Sequence, residues 1–172
     1  DMRALARPLM QDLADRSGAM VALGLRDRLN MIYVEACRSE AALTLSLNVG
    51  SRLPLATTAM GRAYLAASPA PRRAELLARI RVQDEAAWPR ISARMDEALS
   101  EYQALGCCSS FGEWQKEVNA VAVAFRPPGG RDVMAINCGG PGFNLSRDYL
   151  LGEVREQLLQ MAQQLQGPGG TE

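Results

Sequence analysis

The segment at residues 50–62 constrains the fold most, because it changes from extended to helical backbone within a few positions. Pro54 fixes its own φ angle and keeps the residue before it extended. Thr57 or Thr58 then offers a hydroxyl as the N-cap of a helix predicted over 59–67. The sequence therefore predicts a strand end, a stiff connection and a helix start, in that order.

The first turn of this helix carries Ala59, Met60 and Gly61. None of these residues has a charge or a bulk that would keep a ligand away from the backbone N–H groups. Free N–H groups at the positive end of a helix dipole favour anions. An ordinary capped helix without a ligand is the alternative interpretation of the same residues.

The rest of the chain alternates strand patterns, mostly in hairpins, with helical patterns. Period-two spacing and turn residues predict six strands, at residues 19–25, 31–35, 43–47, 107–111, 119–126 and 133–138. Apolar residues at helical spacing predict helices at both ends of the chain and a helical insertion in the middle. Pro8 is expected to kink or restart the first helix.

These patterns predict an α+β fold with an antiparallel sheet of about six strands, flanking helices and a helical insertion. We expect residues 1–166 to form a single domain and 167–172 to be a disordered tail.

The composition of the chain excludes several functions. Its 172 residues, 48% of them apolar and 22% charged, are typical of a soluble globular domain. Lysine plus arginine equals aspartate plus glutamate at 19 each, so no nucleic-acid surface is indicated. No signal peptide is visible in these residues, and no apolar run is as long as a membrane span. Because the chain begins with Asp1, we expect it to be a fragment or a processed product.

Histidine is absent, which removes the commonest general base and the commonest metal ligand. The four cysteines, Cys37, Cys107, Cys108 and Cys138, form no C-x-x-C pair. On a strand, Cys107 and Cys108 would point to opposite faces. We therefore expect no metal site, no cofactor and no disulfide, and interpret most of the cysteines as small buried hydrophobic residues.

Two signatures in the chain match one known family. Residues 50–65 are Gly-Ser-Arg-Leu-Pro-Leu-Ala-Thr-Thr-Ala-Met-Gly-Arg-Ala-Tyr-Leu. A second pattern of glycine, hydroxyl, glutamate and small residues follows at Gly106, Ser110, Glu113, Ala120, Val121 and Ala122. In both segments, and in their order and separation, the chain resembles the effector-binding domain of the IclR family of bacterial transcriptional regulators. The resemblance extends from about Ala6 to Leu165.

The resemblance implies a GAF-like fold that binds a small organic acid, a carboxylate, as effector. It implies that the effector modulates DNA binding by a separate N-terminal winged helix-turn-helix domain, which this chain would lack. It also implies a cytoplasmic protein that assembles as a homodimer or homotetramer.

The same resemblance places the effector pocket between the sheet and the helical insertion. The residues that it brings to the pocket are Leu45, Leu53, Thr57, Thr58, Ala59, Met60, Ser110, Val118, Asn119, Ala120, Ile136 and Cys138. Ala59 and Met60 would offer backbone N–H groups, and Thr57 or Thr58 a hydroxyl. Ser110 would either hydrogen-bond the ligand or bond its own backbone.

Three functions remain open from the sequence. The first is a ligand-sensing domain without catalysis. The second is a small hydrolase with Cys107 or Cys108 as nucleophile, which the lack of histidine disfavours. The third is a dimerisation module with no open pocket.

Overall fold

The computed structural model describes residues 1–40, 46–129 and 131–167. The strands in this part of the chain are β1 (Met20–Asp27), β2 (Asn30–Arg38), β3 (Arg52–Pro54), β4 (Cys108–Phe111), β5 (Val118–Phe125) and β6 (Met134–Pro141). They form one six-stranded sheet in the order β3-β2-β1-β6-β5-β4, and all neighbours pair antiparallel. The expected α+β class and sheet are confirmed.

The helices are α1 (Met2–Ser17), α2 (Ala59–Ala67), α3 (Ala70–Gln83), α4 (Trp88–Leu105), α5 (Arg147–Tyr149) and α6 (Arg155–Gln166). A π-helical turn, Leu150–Val154, joins α5 to α6. The insertion formed by α2, α3 and α4 covers one face of the sheet, and α1 and α6 cover the other. Among the described helices, none combines the length and the apolar character that a membrane crossing requires.

Capping residues in the sequence predict where several of these helices begin or end. The helix predicted over 59–67 has these bounds in the structure, and Thr58 is its N-cap. Gly106 ends α4 in a left-handed conformation with φ of 73°, where an L side chain would be strained.

One expectation about the elements is wrong. α1 runs through Pro8 and does not restart there, because its buried face packs on the sheet and outweighs one lost backbone hydrogen bond. Among the described residues, the third strand along the chain is β3. Leu43 and Leu45 lie outside the described residues, and Leu47 has no regular structure. Pro54 fits at the end of β3 because this is an edge strand, where no donor is required on the open side.

The sheet separates two hydrophobic cores, because successive side chains of a strand point to opposite faces. On β5, Val121, Val123 and Phe125 enter the core under α1 and α6. The alternate residues, Ala120, Ala122 and Ala124, enter the core under α2 and α4. The sheet is therefore lined with larger side chains on one face of β5 and with alanines on the other.

Candidate functional site

A recess lies between the start of α2 and the sheet. All six strands, the start of α2 and two loops contribute residues to its lining. These residues are Met20, Tyr33, Leu47, Leu53, Thr58, Ala59, Ser110, Trp114, Val118, Ala120, Asn137 and Gly139. With its opening to solvent the recess spans about 400 Å³, but only about 20 Å³ has room for the centre of a water molecule. That space suits about one water. A larger ligand therefore requires one wall to move.

The floor of the recess is a row of side chains across four strands. The register pairs Met20 with Gly139, Gly139 with Ala120, and Ala120 with Ser110. A Cβ atom on Gly139 would lie 3.0 Å from the Cβ atom of Ala120. A methyl group added at Gly139 would therefore crowd Ala120, and the space above them exists because these residues are small.

The start of α2 supplies the backbone donors of the recess. The Thr58 hydroxyl accepts from the Gly61 N–H at 3.1 Å and donates to the Pro54 carbonyl at 2.7 Å. Among the described residues, this leaves the N–H groups of Ala59 and Met60 as the first two amides of the helix without a capping acceptor. Together with the helix dipole, these amides favour a negatively charged group.

Ser110 lines the recess and is buried. Its hydroxyl donates to the Thr57 carbonyl at 3.1 Å, which joins β4 to the residue before the N-cap. The hydroxyl oxygen can still accept a hydrogen bond. Ser110 thus bonds the backbone of a distant segment and not its own, and its contact with a ligand stays a prediction.

Tyr33 and Asn137 form a polar pair on the sheet side of the recess. The Asn137 amide Nδ2 donates to the Tyr33 hydroxyl at 3.2 Å. The other amide atom, Oδ1, is buried and has no partner among the described residues. Burial raises the pKa of Tyr33 to about 12, although the hydrogen bond from Asn137 acts in the opposite direction. Both groups are therefore uncharged at neutral pH.

Trp114 lies in the loop between β4 and β5, and the neighbouring Glu113 anchors this loop. The Glu113 carboxylate accepts from Arg62 and from Arg94, each at 2.9 Å. Arg62 is 2% exposed and also donates to the Ala56 carbonyl at 3.0 Å. Burial would raise the pKa of Glu113, but the two guanidinium groups outweigh it and lower the pKa to about 2. The loop is thus held to α2 and α4 by an ionised carboxylate.

The structure brings half of the predicted pocket residues together. The predicted residues that line the recess are Leu53, Thr58, Ala59, Ser110, Val118 and Ala120. The Met60 side chain packs instead over Gly24, where an added Cβ atom would lie 2.4 Å from the Met60 sulfur. Thr57 contributes its carbonyl to Ser110 but does not line the recess. Leu45 lies outside the described residues.

Ile136 and Cys138 do not line the recess, which corrects the expectation from the sequence. Both lie in the core under α1 and α6. Because side chains alternate along β6, the residues that reach the recess are Asn137 and Gly139. Asn119 faces away in the same manner, and its amide donates to the Leu145 carbonyl at 3.0 Å.

The lining residues that the sequence analysis missed are Met20, Tyr33, Leu47, Trp114, Asn137 and Gly139. For Asn137 a signal was present, since an amide in an otherwise apolar strand needs a partner. For Tyr33 there was none, because its partner is 104 residues away in sequence.

The four cysteines are free thiols, and all are buried. Burial raises the pKa of Cys107 to about 12 and raises that of Cys108 further. A buried thiol that stays protonated at neutral pH is a poor nucleophile. These positions therefore disfavour the hydrolase alternative, and the interpretation of the cysteines as small buried residues is confirmed.

The chain belongs to the family described as "Bacterial transcriptional regulator IclR C-terminal", which matches residues 1–166. It is 30% identical over 167 residues to the HTH-type transcriptional regulator TsaQ1/TsaQ2 of Comamonas testosteroni, covering 96% of this chain and 60% of that protein. The crystal structure of an IclR family transcriptional regulator from Brucella abortus matches with a TM-score of 0.91 at 40% identity, covering 95% of this chain and 62% of that one. The chain thus spans less than two thirds of these relatives.

One structural neighbour contains a ligand. It is the inducer-binding domain of a double mutant of the PobR transcription factor from Acinetobacter, in complex with 3-hydroxybenzoic acid. The TM-score is 0.77 at 19% identity, covering 96% of this chain and 97% of that one. At this identity the likeness shows the fold alone.

Proposed function

We propose that this domain binds a small organic acid in the recess, and that the bound acid modulates DNA binding by a separate helix-turn-helix domain. The observation that carries the proposal is the start of α2, where the amides of Ala59 and Met60 are available beside a recess. The inducer-binding domain of PobR, which shares the fold, holds a hydroxybenzoic acid, and this supports an acid as the class of effector.

The energetics favour a carboxylate at this end of α2. A charge placed at a helix terminus gains about 0.3–1 kcal/mol, and a hydrogen bond to a charged group contributes about 1.5–3 kcal/mol. No cationic side chain is among the described residues that line the recess. The amides of α2 would therefore hold the acid, while Leu53 and Val118 contact its carbon skeleton.

The wall that must move to admit the acid is the one formed by Trp114. This residue lies on a loop and is only partly buried, whereas most other lining residues lie on the sheet or on α2. Glu113 remains anchored by its two arginines in this scheme, so the loop would turn about that point.

The test uses isothermal titration calorimetry and thermal unfolding with a panel of aliphatic and aromatic carboxylates. Because the chain has two tryptophans, Trp88→Phe leaves Trp114 as the only indole reporter. We expect at least one acid to raise the melting temperature and to change the Trp114 fluorescence. The matched variant Trp114→Phe should keep the binding and lose the fluorescence change. Failure of every carboxylate to bind would refute the proposal.

The likeness to whole regulators also supports a proposal about assembly. We propose that this domain forms a homodimer or homotetramer in the cytoplasm and contacts DNA only through a separate domain. The edge strands β3 and β4 provide surfaces that symmetric pairing could cover. Sedimentation equilibrium should show self-association, and a monomer both with and without the effector acid would contradict it. A mobility-shift assay at low salt should show no sequence-selective binding of duplex DNA by this chain.

A further inference from the structure

We infer that the effector carries an uncharged hydrogen-bond donor, such as a hydroxyl, in addition to its carboxylate, and that Asn137 recognises this donor. The inference rests on the proposed function, since it names the chemical class of the acid that the recess selects.

Among the described lining residues, Asn137 has a buried side-chain atom without any hydrogen-bond partner. It is 6% exposed, and its Oδ1 atom has no partner among the described residues. The hydroxyls of Thr58 and Ser110 in the same recess both donate to backbone carbonyls. The recess therefore presents a buried amide oxygen that has no partner among the described residues.

A buried amide oxygen without a partner is destabilising, and a ligand donor that reaches it recovers the lost hydrogen bond. The Tyr33 hydroxyl accepts from Nδ2 at 3.2 Å, and Oδ1 is the unpaired atom. An amide oxygen only accepts hydrogen bonds, so in this orientation Asn137 recognises a donor and offers nothing to an acceptor such as a ketone.

The surroundings of Asn137 favour a neutral donor over a charged one. The amide and the Tyr33 phenol are both uncharged at neutral pH. Beside them in the sheet lie Ala22 and Ala122, which pair with Asn137 on either side. A second carboxylate or an ammonium group would lose its hydration here without a counter-charge. A hydroxyl loses less and gains the Oδ1 atom.

The carboxylate and the hydroxyl would meet different elements of the fold. The carboxylate would bind the amides at the start of α2, and the hydroxyl would bind β6 on the opposite side of the recess. The class of ligand is therefore a hydroxy acid, aliphatic or aromatic.

The test compares matched ligands by calorimetry. The aromatic set is benzoate with 2-, 3- and 4-hydroxybenzoate, and the aliphatic set is butyrate, 2-hydroxybutyrate and 2-oxobutyrate. We expect the best hydroxy acid to bind about tenfold more tightly than the acid of the same skeleton without the hydroxyl, as one added hydrogen bond to a buried group predicts. In Asn137→Leu this ratio should fall to about one.

Gln157→Leu is the matched control. Gln157 also has a buried amide oxygen without a partner among the described residues, but it lies on α6 and not in the lining of the recess. The hydroxyl preference should be unchanged in this variant. Should Asn137→Leu fail to fold, Asn137→Ala removes the same acceptor and should abolish the same preference.

The outcomes separate this inference from the proposed function. If carboxylates bind but the hydroxyl adds nothing, or if the oxo acid is preferred, the inference is overturned and the acid-binding function stands. If no carboxylate binds but 3-hydroxybenzamide binds more tightly than benzamide in an Asn137-dependent manner, the acid assignment fails and the role of Asn137 stands. If neither set binds, both are overturned.

Discussion

The two faces of the sheet are packed differently, although the same strands form both. Under α1 and α6, β5 and β6 present Val121, Val123, Phe125, Ile136 and Cys138. Under α2, the alternate positions of the same strands are Ala120, Ala122, Ala124, Asn137 and Gly139. The comparison teaches that period-two alternation allows one strand to complete a closed core on one side and to leave room for a ligand on the other.

Polar groups follow the same division. On the side of α1 and α6, the polar groups at the core include the Asn119 amide, which donates to the Leu145 carbonyl, and the buried Gln157 amide oxygen. Buried polar side chains on the α2 side include Thr58, Arg62, Ser110 and Asn137. Each of the first three has hydrogen-bond partners within the protein. The α2 side therefore carries most of the buried polar side chains, together with the ion pair between Arg62 and Glu113, and four variants test this difference.

Arg62→Met should have the largest effect on stability. The change removes donors to the Ala56 and Ser109 carbonyls and one of the two cations on Glu113. Breaking a buried charged network of this kind costs about 3 kcal/mol in the free energy of unfolding, measured by urea denaturation. Arg79→Met removes a surface pair with Glu75 and serves as the control. An equal decrease in unfolding free energy in the two variants would show that the buried network stabilises the protein no more than a surface ion pair does.

Val121→Ala tests the closed core. Removing two methyl groups from a fully buried site should cost about 2 kcal/mol, from lost transfer free energy and a small cavity. Because Val121 faces away from α2, we expect the affinity for the effector acid to stay within about twofold of the parent. A tenfold loss of affinity would mean that the two faces are coupled.

A fall in pH should destabilise the packing on the α2 side by protonating Glu113. The pKa of this carboxyl is lowered from 4.5 to about 2, so its contribution is complete above pH 4.5 and is lost as the pH falls toward 2. We expect the parent to lose about 1–2 kcal/mol more than Glu113→Gln over this window, measured as unfolding free energy against pH. Asp27→Asn alters an exposed pair with Arg52 and should change the profile much less. Parallel profiles for the parent and Glu113→Gln would contradict this assignment.

Ala120→Val should have the smallest effect on stability and a clear effect on binding. The variant carries a second valine beside Val121. Because side chains alternate along β5, the new valine points into the recess. We expect a change in unfolding free energy below about 1 kcal/mol and at least about a tenfold loss of affinity for the acid. Unimpaired binding in this variant would place the ligand elsewhere.

Much of the fold could be predicted because its signals are local. The capping hydroxyl of Thr58 fixes the start of α2, and Gly106 fixes the end of α4. The alternation of valine and alanine along β5 indicates a strand with two different faces. Of the predicted pocket residues that line the recess, Ala59 followed from the helix-start signal and from the family resemblance, and Val118 and Ala120 of β5 followed from the resemblance alone.

The assignments that failed depend on pairing between distant segments. In β6, Asn137 is a polar residue among small and apolar ones, and the strand itself does not indicate which alternate set of side chains faces α2. The register with β1 and β5 decides this, and it brings Asn137 and Gly139 to the recess. Likewise, β3 is a strand because it pairs with β2, although a strand was predicted earlier in the chain.

The sequence by itself determined the α+β class, the bounds of α2 and the small side chains that leave space under it, because caps, periodicity and side-chain volume act within a few residues. Only the tertiary structure decided that Tyr33 meets Asn137 and that Arg62 and Arg94 share Glu113. These contacts join segments far apart in the chain, and their geometry is set by strand register and helix packing. The polar contacts of the recess therefore depend on the folded sheet. The space for a ligand depends on small side chains that the sequence already shows, at Ala59, Ala120 and Gly139.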